Sequence, residues 1–376
     1  VKNLQNNDNQ KLLTPAEVLQ LQTYELIKCI AAEQVCKNSY IPNGFFLAWR
    51  YYPFGYKRIE NTIFNTAITL FQLKQVAEYA DEHEQALIQH ICNNATISYP
   101  KYLSRTGKCR YNFWQTNPDK HFPNGHLLGK FARFRPADDA DDTVMAYLTA
   151  PHTPEQIQWL RTELNAYANG VKKWSKSMPK GMERLPVYST FFVDKMDVSA
   201  DVCVLSNILF WVYANGFTPN EYDQASLDFI ARCIAQNLHL NHPVSISRYY
   251  PDPVVIIYHI ARLIQRFNPS QLMYLIPQLM ADIQYLLHKP LSFMQRVLVC
   301  SALIKLGGKA PAIIAPPSAG DFATGFSYFA YPITVEFKNP LLHQLSALSA
   351  THMRFYCKAF FLSLVLEYKY LISKII

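Results

Sequence analysis

Stretches in which nearly every residue is apolar alternate along the chain with stretches that are apolar on one helical face only. Residues 60–76 (ENTIFNTAITLFQLKQV) are apolar almost all round, while 82–93 are polar on one side. The pair recurs: 142–149 is apolar and 154–173 amphipathic, 200–214 apolar and 220–237 amphipathic, 253–267 apolar and 269–288 amphipathic. Two further apolar stretches cover 291–306 and 352–370. A helix that is apolar all round is buried on most sides; one with a single apolar stripe lies at a surface. The alternation therefore predicts an all-α fold, a single (α/α)6 toroid with six inner and six outer helices around a central cavity. The toroid is expected over residues 14–376, after a polar tail at 1–13. Thr14-Pro15-Ala16-Glu17 reads as the first helix start, with Thr as N-cap, Pro at N1 and an acid in the first turn.

Aromatic clusters stand before most apolar stretches. They are Trp49-Arg50-Tyr51-Tyr52-Pro53, Phe131-Ala132-Arg133-Phe134-Arg135-Pro136, Tyr188-Ser189-Thr190-Phe191-Phe192, Arg248-Tyr249-Tyr250-Pro251 and the run at 326–332. Their spacing is irregular, which argues against a solenoid of fixed period. In a closed ring they crowd one end, where loops carry function.

Composition sharpens this picture. Half the residues are apolar and 17% are charged, enough for a large core and too apolar for disorder. With 24 Tyr and 23 Phe, an aromatic-lined cavity is expected. The net charge of +8 is scattered, and no nucleic-acid module appears, so no nucleic-acid partner is expected. No glycine-rich phosphate loop, metalloprotease His motif or nucleophile elbow is present. Eight cysteines form no CxxC pair and fall mostly on apolar faces, which reads as buried thiols in a reducing, cytoplasmic setting. The chain opens on Val1, which reads as the start after a removed leader. The apolar stretch at 360–376 carries Glu367, Lys369 and Lys374 and reads as a core helix, so no integral membrane segment is expected.

The sharpest local feature is Asp138-Asp139-Ala140-Asp141-Asp142-Thr143, four carboxylates within five residues, just before an apolar helix. One or two of them can cap the helix. Four so close repel one another, and one shielded from water would hold its proton and serve as a general acid. The same cluster could bind a divalent cation such as Mg through oxygen ligands.

Asp139-Ala140-Asp141-Asp142-Thr143 resembles the DxDD(T) motif of class II terpene cyclases, such as the squalene–hopene and bacterial diterpene cyclases. They belong to the α/α toroid superfamily of terpenoid cyclases and protein prenyltransferases. The wider context, YNFW, HFPNG, DDADDTVMAYLT, YSTFF and DVCVLSN, resembles bacterial members of that superfamily. The resemblance implies a terpenoid cyclase-like toroid with no required cofactor. It implies that Asp141 protonates an alkene or epoxide while Asp139 and Asp142 orient and polarise it. The sequence departs from the family in two ways: the glutamine–tryptophan repeats of triterpene cyclases are absent, and 376 residues make one toroid where the family usually sets its site between two helical domains. The DDxxD pattern of class I synthases also fits 138–142, but no second metal motif accompanies it.

Further candidates sit at the same predicted end. Asn61, Asp201 and Asp252 start inner helices, and Trp49, Arg50, Tyr52, Phe113, Trp114, Tyr188 and Tyr249 could line a pocket. Arg50 and Arg135 could pair with the acids and weaken them. Asn207 reads as a tie between inner helices. Three functions follow. A cyclase-like lyase or isomerase acting on a small apolar or amphipathic substrate requires a deep apolar cavity under Asp141. A carbohydrate-active enzyme requires an open cleft with carboxylates about 5–10 Å apart. A binding or scaffold protein requires a ring filled by side chains. The sequence does not set the oligomeric state.

Overall fold

The computed structural model describes residues 13–38, 40–119, 131, 135–193, 196–315, 320–336 and 344–374. The polar tail expected over 1–13 falls outside them except for Leu13, as do Ala132, Arg133 and Phe134 of the second aromatic cluster and the HFPNG stretch.

In chain order the described helices are α1 (Pro15–Gln20), α2 (Thr23–Ala32), α3 (Ile63–Ala77), α4 (Glu82–Thr96), α5 (Ala140–Thr149), α6 (Pro154–Ala166), α7 (Val202–Ala214), α8 (Glu221–Ala235), α9 (Leu238–Asn241) and α10 (Pro243–Ile246). They continue with α11 (Pro253–Phe267), α12 (Ser270–Met273), α13 (Ile276–Leu287), α14 (Phe293–Lys305) and α15 (Lys358–Ser373). Four strands, β1 (Ala48–Tyr51), β2 (Lys57–Glu60), β3 (Ala330–Pro332) and β4 (His352–Cys357), pair antiparallel in the order β2-β1-β4-β3.

The sheet corrects the all-α toroid expectation. The described residues are 54% helical with a four-stranded antiparallel sheet, a mixed α/β architecture. Two segments read as helix or helix lead-in are strands instead. His352–Cys357 opens as β4, and the last helix starts six residues later than expected. Trp49-Arg50-Tyr51 is β1. β1 alternates buried with less buried positions, the period of a half-buried strand, while β4 is buried at His352, Phe355 and Cys357. Strands of three to six residues are too short for that alternation to stand out against aromatic clustering.

Helices α3, α5, α7, α11, α14 and α15 each pack against the next, and α15 packs back on α3, so the six close a ring. Their residues explain this placement. In α7 every position from Val202 to Val212 is buried, and α11 is buried from Val254 to Ile264. A helix such as α7 has almost no polar face to offer water and must be enclosed, whereas α11 carries His259 and Arg262 on one face and buries both. Outside the ring, α2 lies on α15, α4 on α3, α8 on α7, and α13 on α11 and α14. Of these, α2, α4 and α13 each bury one stripe, and three helices outside the ring begin with capping boxes. Asp81 and Glu84 form a reciprocal capping box on α4, Thr153 and Gln156 on α6, and Asn220 and Asp223 on α8.

Candidate active site

The N-terminal ends of α3, α5 and α7 meet at one mouth of the ring, and the sheet lies across it. Between them is a cavity of about 450 Å³. Its lining includes Phe64 of α3, Asp141 and Asp142 of α5 and Val204 of α7; Arg50, Tyr331, Met353 and Phe355 come from the sheet. Apart from the carboxyls and Arg50 the walls are mostly carbon. Phe329 stacks on Phe355 at 4.0 Å, and Phe113 meets both edge-on at 6.1 and 5.9 Å. Phe64 meets Phe329 edge-on at 5.1 Å. Aromatic faces present negative potential to whatever they enclose.

The Asp run divides at α5. Asp138 turns away from the cavity: its carboxyl accepts from Ser104 Oγ at 2.6 Å and pairs with Arg110 Nε at 3.3 Å. Asp139 is the N-cap, and its Oδ1 accepts from Asp142 N at 2.7 Å. Asp139 keeps some exposed surface and lines the cavity. Asp141 is 7% exposed. Asn207 Nδ2 donates to its Oδ1 at 2.7 Å, and Tyr250 Oη donates to its Oδ2. Asn207 is set in turn by Arg262, whose Nη2 donates to Asn207 Oδ1. Asp142 is buried, and neither of its carboxyl oxygens receives a hydrogen bond.

No Lys or Arg pairs with Asp139, Asp141 or Asp142 among the described residues. Burial dominates their acidity. It pushes Asp141 up to about 7, helped by the charge of Asp139 and opposed by the donors Tyr250 and Asn207. Asp139 is raised to about 6 by burial, against the hydrogen bonds it makes with Asp142. Asp142 is raised well above the usual carboxyl range by burial and then by Asp139. The magnitudes agree with this direction. Keeping one carboxyl of ordinary affinity protonated at pH 7 costs about 4 kcal/mol. Each unpaired ion in such a site costs several kcal/mol, and repulsion adds to that. Protonation of part of the cluster is the cheaper state.

The expected site residues divide. Arg50, Tyr52, Phe113, Trp114, Asp139, Asp141, Asp142 and Tyr249 all line the cavity. Trp49 does not, because the period of β1 turns it to the opposite face from Arg50, where Lys57 lies over its ring at 4.9 Å. Asn61 ties loops together: its Nδ2 donates to Tyr40 O at 2.8 Å, and Tyr102 Oη donates to its Oδ1. Arg135 is half-exposed and pairs with Asp119 at 3.0 Å. Tyr188 Oη donates to Asp223 Oδ1 at 2.7 Å and belongs to a lock between α6 and α8. Asp201 and Asp252 cap α7 and α11, and Asp252 also accepts from Gln295 Nε2 at 2.9 Å. Burial raises the pKa of both above the usual carboxyl value.

Neither arginine neutralises the acids. Arg50 Nε lies 3.1 Å from Glu60 Oε2, and Trp114 Nε1 donates to Glu60 Oε1 at 2.9 Å. Sequence reasoning missed Asn207 and Tyr250 as partners of Asp141. Tyr250 was visible as part of the fourth aromatic cluster. Asn207 was visible as an amide in an otherwise apolar inner helix, where it has to find a partner. Among the described residues no group of three or more His, Cys, Asp or Glu side chains is placed to hold a metal ion, and no helix is long and apolar enough to cross a membrane. No family model, curated protein or solved structure matches the chain.

Proposed function

We propose that the protein is an acid catalyst that protonates an apolar or amphipathic, isoprenoid-like substrate, in the manner of class II terpene cyclases. The observation that carries this reading is Asp141: a buried carboxyl held near the neutral range, paired with no cation and facing an aromatic cavity. A donor of such affinity retains a proton at working pH yet releases it readily.

In the proposed step the O–H of Asp141 transfers its proton to an alkene carbon. The π pair forms the new C–H bond, the neighbouring carbon becomes cationic, and the O–H electrons stay on the Asp141 carboxylate. Tyr250 and Asn207 are already aimed at that carboxylate as donors. The rings of Phe64, Phe113 and Trp114 stabilise the cation by their faces. Loss of a proton from the rearranged cation restores the acid, so the net reaction is an isomerisation. Arg50, paired with Glu60, gives the cavity wall one polar group for the polar end of an amphipathic substrate. A reducing, cytoplasmic setting belongs to the same proposal, and all eight cysteines stand free. The carbon-lined cavity is a poor match for a polyhydroxylated sugar, and its open volume is a poor match for a filled scaffold.

The test is to incubate the protein with linear isoprenoids, both uncharged and phosphorylated, in D2O. Products are then analysed by mass spectrometry. We expect cyclised or isomerised products carrying deuterium at one carbon, and none from Asp141→Asn. Product formation unaffected by that substitution, or no product from any substrate, would count against the reading.

A further inference from the structure

We propose that Asp142 stands as a neutral carboxylic acid at physiological pH, sharing its proton with Asp139, so that a second acid lies buried in the cavity wall beside Asp141. The geometry supports this directly. Asp142 is 1% exposed, lines the cavity, and receives no N–H or O–H on either oxygen. Its own N–H reaches Asp139 Oδ1 at 2.7 Å, which sets the Asp139 carboxyl beside it, and each carboxyl acts on the other's proton affinity. Two carboxylates cannot hydrogen-bond to each other; a carboxylic acid and a carboxylate can. Asp139 is placed to be the carboxylate. It caps α5, where the free N–H groups favour negative charge, and its Oδ1 takes the Asp142 N–H.

The surrounding charged and titratable groups leave the pair without a counter-ion. From the same segment come Asp141 and Asp138, the latter occupied by Arg110. Tyr102 approaches from the segment after α4, and Glu60 and Arg50 of the sheet pair with each other. On the Asp141 side stand Asp201 and Cys203 at the start of α7, Tyr250 before α11, and Tyr328 before β3. Burial pushes Asp142 in the same direction.

A neutral Asp142 leaves Asp141 with one anionic neighbour at the helix start and keeps an O–H near the cavity after Asp141 has released its proton. This deepens the acid-site reading, yet the protonation state is independent of the substrate, so the two can fail separately. Infrared spectroscopy of the full chain at pH 8 tests it through the C=O stretch of a protonated carboxylic acid. We expect that band in the unsubstituted protein and in Asp141→Asn, and its loss in Asp142→Asn. Absence of the band at pH 8, or its survival in Asp142→Asn, overturns the proposal. If Asp142→Asn does not fold, Asp139→Asn replaces a carboxylate acceptor with a weaker one. The band must then move to higher frequency, and an unmoved band overturns the proposal.

Discussion

The starts of α5 and α7 carry the same residue in the same position and use it differently. Asp201 caps α7, and its oxygens accept from Cys203 N, Val204 N, Ser247 Oγ and Tyr249 N. Four donors converge on it and leave no role toward the cavity. At α5 the cap Asp139 is followed by Asp141 with two side-chain donors and Asp142 with none. The difference lies in the supply of N–H and O–H groups. Where donors saturate a buried carboxylate it acts as structure; where they run short it must hold a proton.

The largest effect that can break this contrast is on turnover. Asp141→Asn removes the proton and keeps the shape, so activity on any accepted substrate should fall about 1,000-fold or more, at the upper end for loss of a general acid. Asp252→Asn, at a cap outside the cavity, should stay within a few-fold. Equal losses at the two positions would mean that α5 is not chemically special.

Next comes stability against pH. The folded-state affinity of Asp141 is raised from 3.8 to about 7. Between those values the folded chain keeps a proton that the unfolded chain has released. Its contribution is therefore fully present below about pH 4 and is lost as pH rises through 7, by up to about 4 kcal/mol. Urea unfolding of Asp141→Asn should show a flatter pH dependence than the unsubstituted protein and greater stability at pH 8. A variant less stable at pH 8 would show that the buried carboxylate is well solvated.

Smaller again is the cost of removing the caps. Asp201→Ala strips the α7 cap and leaves Ser247 and Tyr249 N without their acceptor, so urea unfolding should show a loss of about 2–4 kcal/mol. Asp252→Ala, with fewer buried donors to orphan, should cost about 1 kcal/mol. A reversed order would contradict the rule that the donors a buried carboxylate gathers set its structural weight, the rule by which α7 is told from α5.

This contrast also marks where the sequence was legible. The apolar stretches that build the ring, such as 200–214, have almost no polar face, and burial follows from that alone; in 253–267 His259 and Arg262 share a polar stripe, yet both are buried. The Asp run stood out because charges that close together conflict with an apolar helix. The sheet was hidden because Trp49–Tyr52 and His352–Cys357 are short and rich in rings that helix lead-ins and strands both use. Trp49 was placed in the site and Arg50 beside it, although strand periodicity sends neighbours to opposite faces. The partners of Asp141 lie 66 and 109 residues away in sequence, at Asn207 and Tyr250. No local pattern encodes that distance, and only ring closure brings them together.

The most local expected effect belongs to Tyr250→Phe, which tests the donor argument at a single atom. Tyr250 is buried and meets Phe64 edge-on at 6.2 Å, so the ring itself should remain packed. The substitution removes only the O–H that donates to Asp141 Oδ2. A hydrogen bond to the charged form favours ionisation, so its loss should make Asp141 hold its proton more firmly. The fall in activity at high pH should then begin at a higher pH than in the unsubstituted protein. Stability at pH 8, where Asp141 is largely ionised, should drop by about 1–2 kcal/mol, and by less at pH 5, where the acid is neutral. Paired unfolding curves at the two pH values decide it. An equal drop at both would make Tyr250 a packing residue with no say in the proton, and the start of α5 would then differ from that of α7 only in burial.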